Sequence, residues 1–539
     1  MRRVIPLLIA FMSLLPLYAN ETTEQTVGLD EKINDAFMPY ALAWENLIFT
    51  DIELGGVGIP IVLILLLSGA TFFTFYFKFI NIRCFLTAIM VVRGRYDHFE
   101  KKKPIANEGS LINLEGDVAN TIKDESHFGE VNHFQALATA VSGTVGLGNI
   151  AMVAVAISIG GPGATFWMIL AGLLGMSTKF VECTLGVLHR EIDEQGRVYG
   201  GPFYYMTKGI KNRKLGKTLA VIFALLCVGA SFGGGNAFQS NQAAAQIIDR
   251  FGIEGANSGT IIGVVFALLV GIVILGGIKR IAKVTERIVP IMALIYVVAA
   301  LFIIGVNISY VDDVFRQIFS EAFSPRATVV GGVIGVMIQG FRRAAFSNEA
   351  GAGSASIAHA AVKTRYAASE GLVGLLEPFI DTVLICTMTA IVILLFNQDG
   401  FFIYGDVIDN QVLMSQTGER LGGVNLTSMA FDHAIPGFSY VLAIAVILFA
   451  FSTMLSWSYY GLQAWKFLFG KGLMVDRAYK LLFLLFTVLG SAVTLDAVIK
   501  FSDAMILALV FPNMIALFIL YPQIKQPLEN YLKMIKQEK

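Results

Sequence analysis

Long apolar stretches separated by shorter polar loops run through most of the chain. The stretches reach roughly 20 residues, the length of helix that crosses the hydrocarbon core of a bilayer. Basic residues concentrate in alternate loops, and the positive-inside rule assigns those loops to the cytoplasm. The pattern therefore predicts an all-α, polytopic membrane protein with about eleven transmembrane helices.

The composition supports this class. Of the 539 residues, 55% are hydrophobic and 15% are charged, and the mean hydropathy is +0.68; these values exclude a soluble globular protein. The formal net charge is zero, so nothing indicates a nucleic-acid partner. The four cysteines lack metal-ligand spacing, and we interpret them as small core residues.

The apolar stretches and the loop charges divide the chain into eight segments. They are a predicted signal peptide (1–19), an external segment (20–55), an extra transmembrane helix (56–77), a basic cytoplasmic loop (78–130), a first five-helix repeat (131–306), an external loop (307–327), a second five-helix repeat (328–521) and a cytoplasmic tail (522–539). The start fits a secretory signal because two arginines precede a short apolar run; an uncleaved short anchor is the alternative. We expect a multi-pass protein of the bacterial inner (cytoplasmic) membrane, with its N-terminus outside and its C-terminus in the cytoplasm.

Ten spans remain after the extra helix, and the two groups of five run in opposite senses. That arrangement is typical of an inverted repeat. The opening helix of each repeat contains a glycine-rich, weak segment, at residues 142–149 and 331–340. Paired discontinuous helices in matching positions indicate a binding site at the membrane midplane. The alternative for both segments is a glycine face for close helix packing.

The first weak segment belongs to the stretch HFQALATAVSGTVGLGNI at residues 133–150. Its glycines favour many backbone states besides the helix. Freed backbone groups at membrane depth are tolerated only where they line a cavity. Carbonyl oxygens suit a hard cation such as sodium, and amides at the start of a resumed helix suit a carboxylate. The stretch therefore predicts a site for an ion and a small substrate.

Several long motifs resemble the alanine/glycine:cation symporter family. They are TVGLGNIAMVAVAISIGGPGATFWM from residue 144, KFVECTLGVLHRE, GGPFYY, FSNEAGAGSASIAHAA at 346–361 and FIDT at 379–382. The resemblance implies a five-plus-five inverted-repeat transporter of the amino acid, polyamine and organocation group. It also implies an extra N-terminal helix and sodium-coupled uptake of small neutral amino acids, chiefly alanine and glycine, with sodium as the coupling ion and no cofactor.

We predict a sodium site from backbone carbonyls near Ser142 and Val145 together with the hydroxyls of Ser452 and Thr453. The segment GTVGLGN is similar to the unwound segment of sodium-coupled amino acid transporters in the wider group, which supports this placement. The alternative is that the two hydroxyls bond back to their own helix.

The substrate carboxylate is expected at the amides of residues 146–148, and its ammonium at carbonyls of residues 335–339. Gln239 either reaches the same cavity or makes an interhelical hydrogen bond. Trp457 and Phe238 either close a pocket around a methyl-sized side chain or pack as ordinary membrane aromatics. The predicted substrate-binding residues are Thr144, Gly146, Leu147, Gly148, Asn149, Gln239, Gly335, Gln339 and Trp457.

Two alternatives concern the coupling ion. A second sodium could use the Asn149 side-chain oxygen and the Thr144 carbonyl. Protons could replace sodium, through Asp381 or Glu182, because an intramembrane carboxylate is costly and often functional.

Charged residues near the predicted cytoplasmic face indicate a gate. We predict that Glu349 pairs with Arg342 or Arg343 and closes the cytoplasmic side. Lys179 and Glu182 are expected to form an ion pair or to snorkel toward the interface.

Other functional classes lack their signatures. The sequence contains no HExxH motif of the kind that a membrane enzyme would use, and its GxSxG match, GASFG at residues 229–233, lies inside an apolar predicted span. It also shows no repeated filter sequence or ring of charges typical of a channel. The expected partners are therefore a small neutral amino acid, sodium and the lipid bilayer, and the sequence leaves the oligomeric state open.

Overall fold

The computed structural model describes residues 28–54, 57–100, 129–194, 196–253, 255–326 and 329–537. The predicted signal peptide and residues 101–128 of the basic loop lie outside these ranges. The described chain is overwhelmingly helical, with a few short strands, so it has the predicted all-α, polytopic fold.

Within the described residues, six helical segments are long and apolar enough to cross a membrane. They are Gly163–Leu188, Arg213–Phe251, Gly277–Val306, Ala367–Asp399, Phe438–Phe469 and Leu495–Gln537. His133–Thr144 and Gly148–Gly160 are together long and apolar enough for a further crossing if the pair is counted as one span, and they meet at a bend of 49°. Shorter apolar helices occupy Ile61–Tyr76 and Ser258–Ile274. The count of eleven spans and the inverted repeat stay predictions.

The first part of the chain forms the elements up to residue 323. In order they are α1 (Leu29–Ile48), β1 (Asp51–Leu54), β2 (Val57–Pro60), α2 (Ile61–Tyr76), α3 (Ile80–Arg83), α4 (Phe85–Val92), α5 (Asp97–Glu100), α6 (His133–Thr144), a π-helical turn (Gly148–Met152), α7 (Val153–Gly160), α8 (Gly163–Leu188), β3 (Glu191–Ile192), β4 (Val198–Tyr199), α9 (Pro202–Gly209), α10 (Arg213–Phe232), a second π-helical turn (Gly233–Ala237), α11 (Phe238–Phe251), α12 (Ser258–Ile274), α13 (Gly277–Val306) and α14 (Ile308–Phe323).

The second part repeats this alternation of long helices and short connecting elements. It contains α15 (Gly332–Asn348), α16 (Ser356–His359), α17 (Ala367–Gly374), α18 (Leu376–Pro378), a π-helical segment (Phe379–Cys386), α19 (Thr387–Phe396), a 3-10 turn (Asn397–Asp399), β5 (Phe402–Ile408), β6 (Gln411–Met414), β7 (Arg420–Gly422), α20 (Gly423–Ala434), α21 (Phe438–Phe469), α22 (Leu473–Ala492), α23 (Leu495–Ala508), α24 (Val510–Leu520), a 3-10 turn (Tyr521–Ile524) and α25 (Lys525–Gln537).

The helix bundle has two distinct ends. One carries the antiparallel sheet β5-β6-β7, and we call it the sheet end. Helix α1 lies at the same end, because Asp30 contacts the cavity that Gln411 and Arg420 also line. The other end carries α9, the β3-β4 hairpin and α25, and we call it the basic end. Lys208, Arg213, Lys217, Lys466 and Lys471 all line one cavity there.

The region predicted as an external loop, 307–327, and a later stretch within the predicted second repeat, 402–434, both contain regular structure apart from the crossing helices. Residues 308–323 form α14, whose apolar residues Val314, Ile318 and Ala322 are buried. Residues 402–434 form the sheet and α20. A helix that buries one apolar face can lie along the end of the bundle without crossing it.

The second weak segment, residues 331–340, is not a break, and that prediction was wrong. Gly331 and Gly332 adopt left-handed φ values of 82° and 56° where α15 begins, and the helix then continues to Asn348. A Cβ on Gly340 would lie 2.5 Å from the Trp167 Cβ and 2.7 Å from the Ala164 carbonyl oxygen. The glycine there allows close packing of α15 on α8, which was the alternative reading of this segment.

Candidate functional site

The break between α6 and the following π-helical turn forms the centre of the site. Val145 leaves the helical conformation, with φ −75° and ψ 87°. The next two amides bond to side chains: Gly146 N donates to Asn149 Oδ1 at 2.9 Å, and Leu147 N donates to Gln239 Oε1 at 3.0 Å. Gln239 comes from α11, so its interhelical bond also places it at the break. These two amides therefore bond to side chains instead of helix carbonyls, as the glycine pattern predicted for this segment.

Helix α21 supplies a cluster of oxygens beside the last turn of α6. Thr453 Oγ1 donates to Ser142 O at 2.8 Å, and Ser142 Oγ donates to Ser452 O at 2.7 Å. Ser456 Oγ donates to Thr139 O at 2.8 Å. The Ser452 hydroxyl instead bonds back to Phe449 O at 3.0 Å, as the alternative predicted for it. Three of the four residues predicted for sodium therefore meet through hydroxyl or carbonyl oxygens, and Val145 adjoins them.

A second break lies at residues 349–355, between α15 and α16. Glu349, Gly351 and Gly353 all adopt left-handed backbone, with φ of 55°, 97° and 82°. Glu182 Oε1 accepts from Gly351 N at 2.9 Å, and Asn513 Nδ2 donates to Gly351 O at 2.8 Å. The freed backbone groups of this break are thus satisfied by side chains of α8 and α24, as membrane depth requires.

Trp457 connects the two breaks. Its indole N–H lies 3.2 Å from Gly143 O of the first broken helix and 3.1 Å from Glu349 Oε1 of the second. Glu349 also accepts a hydrogen bond from Ser354. Trp457 is a buried side chain on α21. Its indole therefore contacts both discontinuous helices from a third helix.

Apolar rings and glycine backbone form the wall next to the first break. The rings of Phe238 and Phe346 meet edge to face, with centroids 5.3 Å apart. A Cβ on Gly148 would lie 3.5 Å from the Phe346 ring, and a Cβ on Gly235 would lie 2.1 Å from Trp457 Cγ. The second π-helical turn, Gly233–Ala237, therefore brings bare backbone to this wall. Sequence reasoning missed this turn, although three consecutive glycines inside a predicted span mark it.

Asp381 lies in the π-helical segment Phe379–Cys386 and joins both broken helices. Asn149 Nδ2 donates to Asp381 Oδ1 at 2.7 Å, and Ser347 Oγ donates to Asp381 Oδ2 at 2.7 Å. Thr382 Oγ1 donates to the same Oδ2 at 2.7 Å. The side-chain oxygen of Asn149 is bonded to Gly146 N. Thr144 Oγ1 points back to Ala140 O at 3.3 Å within its own helix.

Gly335 and Gln339 do not reach either break. Both lie inside the regular helix α15, where carbonyls are bonded along the helix. A Cβ on Gly160 would lie 3.2 Å from the Gln339 Cβ, which places Gln339 beside the end of α7. The prediction that their carbonyls receive the substrate ammonium is therefore contradicted by the fold.

A buried network of ionisable side chains lies between the breaks and the basic end. Lys179 Nζ pairs with Glu377 Oε1 at 3.0 Å, and both side chains are fully buried. His359 Nδ1 lies 2.6 Å from Glu370 Oε1, and His133 bonds the other oxygen of the same carboxylate. Of the two alternatives predicted for Lys179, the ion pair is present, with Glu377 as the partner, and snorkelling was wrong because the ammonium lies inside the bundle. This network connects five helices: α6, α8, α16, α17 and α18.

Arg342 and Arg343 do not pair with Glu349, so the predicted cytoplasmic gate was also wrong. Arg342 Nε lies 2.8 Å from Asp503 Oδ2, and Arg343 Nη2 lies 2.7 Å from the same oxygen. Arg343 Nη1 also contacts Met152 Sδ at 3.0 Å. The arginines lie between the first break and the sheet end because α15 continues past them to Asn348.

A model described as the sodium:alanine symporter family matches residues 110–539. The chain is 40% identical to the sodium/alanine symporter AgcS of Methanococcus maripaludis, over 74% of this chain and 83% of the relative. It is 35% identical to the putative sodium/proton-dependent alanine carrier protein YrbD of Bacillus subtilis, over 78% and 85% of the two chains. It is 32% identical to the probable sodium/glutamine symporter GlnT of the same bacterium, over 89% of each chain.

One solved structure, a manganese transporter of Eremococcus coleocola, resembles the fold. The TM-score is 0.50 at 14% sequence identity, covering 71% of this chain and 78% of that chain. At that identity the likeness concerns the fold alone.

Proposed function

Because the chain belongs to the sodium:alanine symporter family, we propose that this membrane transporter couples uptake of a small neutral amino acid, alanine or glycine first, to sodium. The observation that carries the proposal is the break after α6. Its amides face side-chain acceptors on one side, and its last helical turn meets hydroxyls of α21 on the other. A discontinuous helix with these two surfaces suits an anionic group and a hard cation together.

Sodium binds, in this proposal, at the oxygens of Ser142, Val145, Ser452 and Thr453. The Thr453 hydroxyl already lies 2.8 Å from Ser142 O. Sodium entry turns both oxygens toward the ion, and the Ser452 hydroxyl leaves its bond to Phe449 O. Hydroxyls and carbonyls are the oxygen ligands that hard cations prefer.

The amino acid binds next to the ion. Its carboxylate exchanges for Gln239 Oε1 or Asn149 Oδ1 at the amides of residues 146–148. Its ammonium meets the carbonyls at the C-terminal end of α15, because Ser347 Cα lies only 3.7 Å from a Cβ on Gly148 and a helix C-terminus favours a cation. Phe346 and Trp457 leave room for a small side chain, and one extra methylene costs about 1–3 kcal/mol in such a pocket.

The outer gate, in this proposal, is the group of Arg342, Arg343 and Asp503. It joins α15 to α23 between the site and the sheet end. Alternating access then requires this group to separate when the site opens to the sheet end. The sheet end is external and the basic end is cytoplasmic of a bacterial inner membrane, because basic loops stay inside.

The test is uptake of radiolabelled alanine into proteoliposomes, with an inward sodium gradient or with choline in its place, at fixed pH. We expect sodium to be required, and unlabelled glycine and alanine to compete better than larger amino acids. Equal uptake in sodium and choline would refute the coupling, and competition by glutamine alone would refute the proposed size class.

Proton coupling is the second candidate, and Asp381 favours it. This buried carboxylate is held by Asn149, Ser347 and Thr382, all of them neutral donors. Uptake that follows a pH gradient in the absence of sodium, and that Asp381→Asn abolishes, would support this candidate over sodium.

A further inference from the structure

Helix α1 lies across the sheet end and is fixed to two helices there. Asp30 Oδ2 and Oδ1 accept from the amides of Gly259 and Thr260, at 3.0 and 3.2 Å, at the start of α12. Asn34 Oδ1 accepts from Thr494 N at 3.0 Å, at the start of α23. The rings of Phe37 on α1 and Phe501 on α23 meet at 5.0 Å. The first half of α1 is therefore anchored to α12 and α23.

The end of α1 reaches the opposite side of the gate. Glu45 Oε1 lies 3.0 Å from Arg342 Nη2, and the Phe49 ring lies 3.9 Å from the Arg342 guanidinium carbon. Arg342 belongs to α15, whereas the anchors of α1 belong to α12 and α23. A single helix thus connects the two sides that must separate when the gate opens.

The charges of the gate balance only when Glu45 is counted. Arg342 and Arg343 bring two positive charges, and Asp503 is fully buried against both of them. Without Glu45, two guanidinium groups would share one carboxylate in a site where Arg343 is 2% exposed and Arg342 is 17% exposed. Like charges close together in a poorly hydrated site repel strongly.

We propose that Glu45 is a positioning residue of the outer gate, and that α1 acts as a strap whose carboxylate stabilises the closed gate. The effect of Glu45 on transport rests on the proposed function, whereas the structural test of its role does not require transport. Residue 45 precedes the range that the family model matches, 110–539. The strap is therefore a feature outside the part of the chain that the family model describes.

The test is hydrogen–deuterium exchange of the full-length protein in nanodiscs, without substrate. Glu45→Gln keeps the side-chain size and removes the charge. We expect amide exchange in residues 332–341 of α15 to become about tenfold faster or more, the ratio that corresponds to one lost charge-assisted hydrogen bond. The matched control is Asp35→Asn, an exposed carboxylate on the same helix, which should exchange as the wild type does.

A double variant separates charge balance from simple detachment of α1. Glu45→Gln with Arg342→Gln leaves one arginine opposite Asp503, so exchange in α15 should return toward the wild-type rate. The proposal is overturned if Glu45→Gln leaves α15 exchange unchanged. Recovery in the double variant supports charge balance as the way in which Glu45 stabilises the gate, whereas exchange as fast as in the single variant supports the connection to α1 itself. Should alanine uptake be absent from every protein, including the wild type, the transport proposal fails while the exchange result still decides the role of Glu45.

Discussion

Gly146 is the position where one added methyl group tests the proposed sodium site most directly. A Cβ there would lie 2.4 Å from Thr453 Oγ1 and 3.0 Å from Gln239 Oε1. Contact between such atoms is comfortable at about 3.5 Å, so Gly146→Ala overlaps Thr453 by about 1 Å. Overpacking of this kind costs about 1–3 kcal/mol in a closed site.

That cost falls on the state in which Thr453 Oγ1 lies close to Ser142 O, as the proposed sodium site requires. We therefore expect the sodium concentration for half-maximal alanine uptake to rise roughly 5- to 150-fold in Gly146→Ala proteoliposomes. The shift of melting temperature on adding sodium should shrink in parallel. The matched control is Gly305→Ala on α13, where a Cβ meets no atom within 4 Å and sodium dependence should not change.

A second variant separates the overlap from the loss of a ligand. Gly146→Ala with Thr453→Ala removes the overlapping oxygen, so the melting temperature without sodium should recover while sodium dependence stays impaired. The reasoning would be refuted if folded Gly146→Ala showed the wild-type sodium half-saturation. It would also be refuted if the double variant recovered normal sodium dependence.

Three further predictions concern the rest of the site. Lys179→Met should destabilise the protein by about 3–5 kcal/mol, because it leaves the buried Glu377 carboxylate unpaired. The double variant Lys179→Met with Glu377→Met should lose less stability, and denaturant or thermal unfolding checks both. Trp457→Phe removes the N–H that joins both breaks, and we expect at least a roughly tenfold loss of uptake rate with the fold retained by circular dichroism; wild-type uptake would contradict the bridging role. Asp381→Asn should lower uptake yet leave it sodium-dependent, whereas loss of a pH-driven uptake that the wild type shows without sodium would favour proton coupling.

The sequence was sufficient for the class of the protein and for the first break. Apolar stretches of spanning length and alternating basic loops require a polytopic helical fold, since a bilayer leaves backbone groups few other partners. The spacing of Gly143, Gly146 and Gly148 marked the segment where α6 ends. The sequence also placed Ser142 and Thr453 in one predicted site. That placement depended on the motif resemblance, because glycine spacing alone does not indicate which residues of distant helices meet.

The second break and the gate depended on tertiary structure. A glycine-rich segment breaks only if neighbours can satisfy its freed backbone, and sequence does not show those neighbours. Around Gly340 the neighbour is the packed surface of α8, so the helix continues. Around Gly351 the neighbours are Glu182 and Asn513, which bind its amide and carbonyl, so the helix ends.

The same limit applies to the charges. Arg342 and Asp503 lie 161 residues apart, and Glu45 is 297 residues from Arg342. Local pattern can assign each charge to a helix, but the choice of partner depends on which helices meet and on how far each extends. The sequence by itself determined where the backbone is weak and where charge is costly; only the packing of the helices decided which weak point opens and which charges neutralise one another.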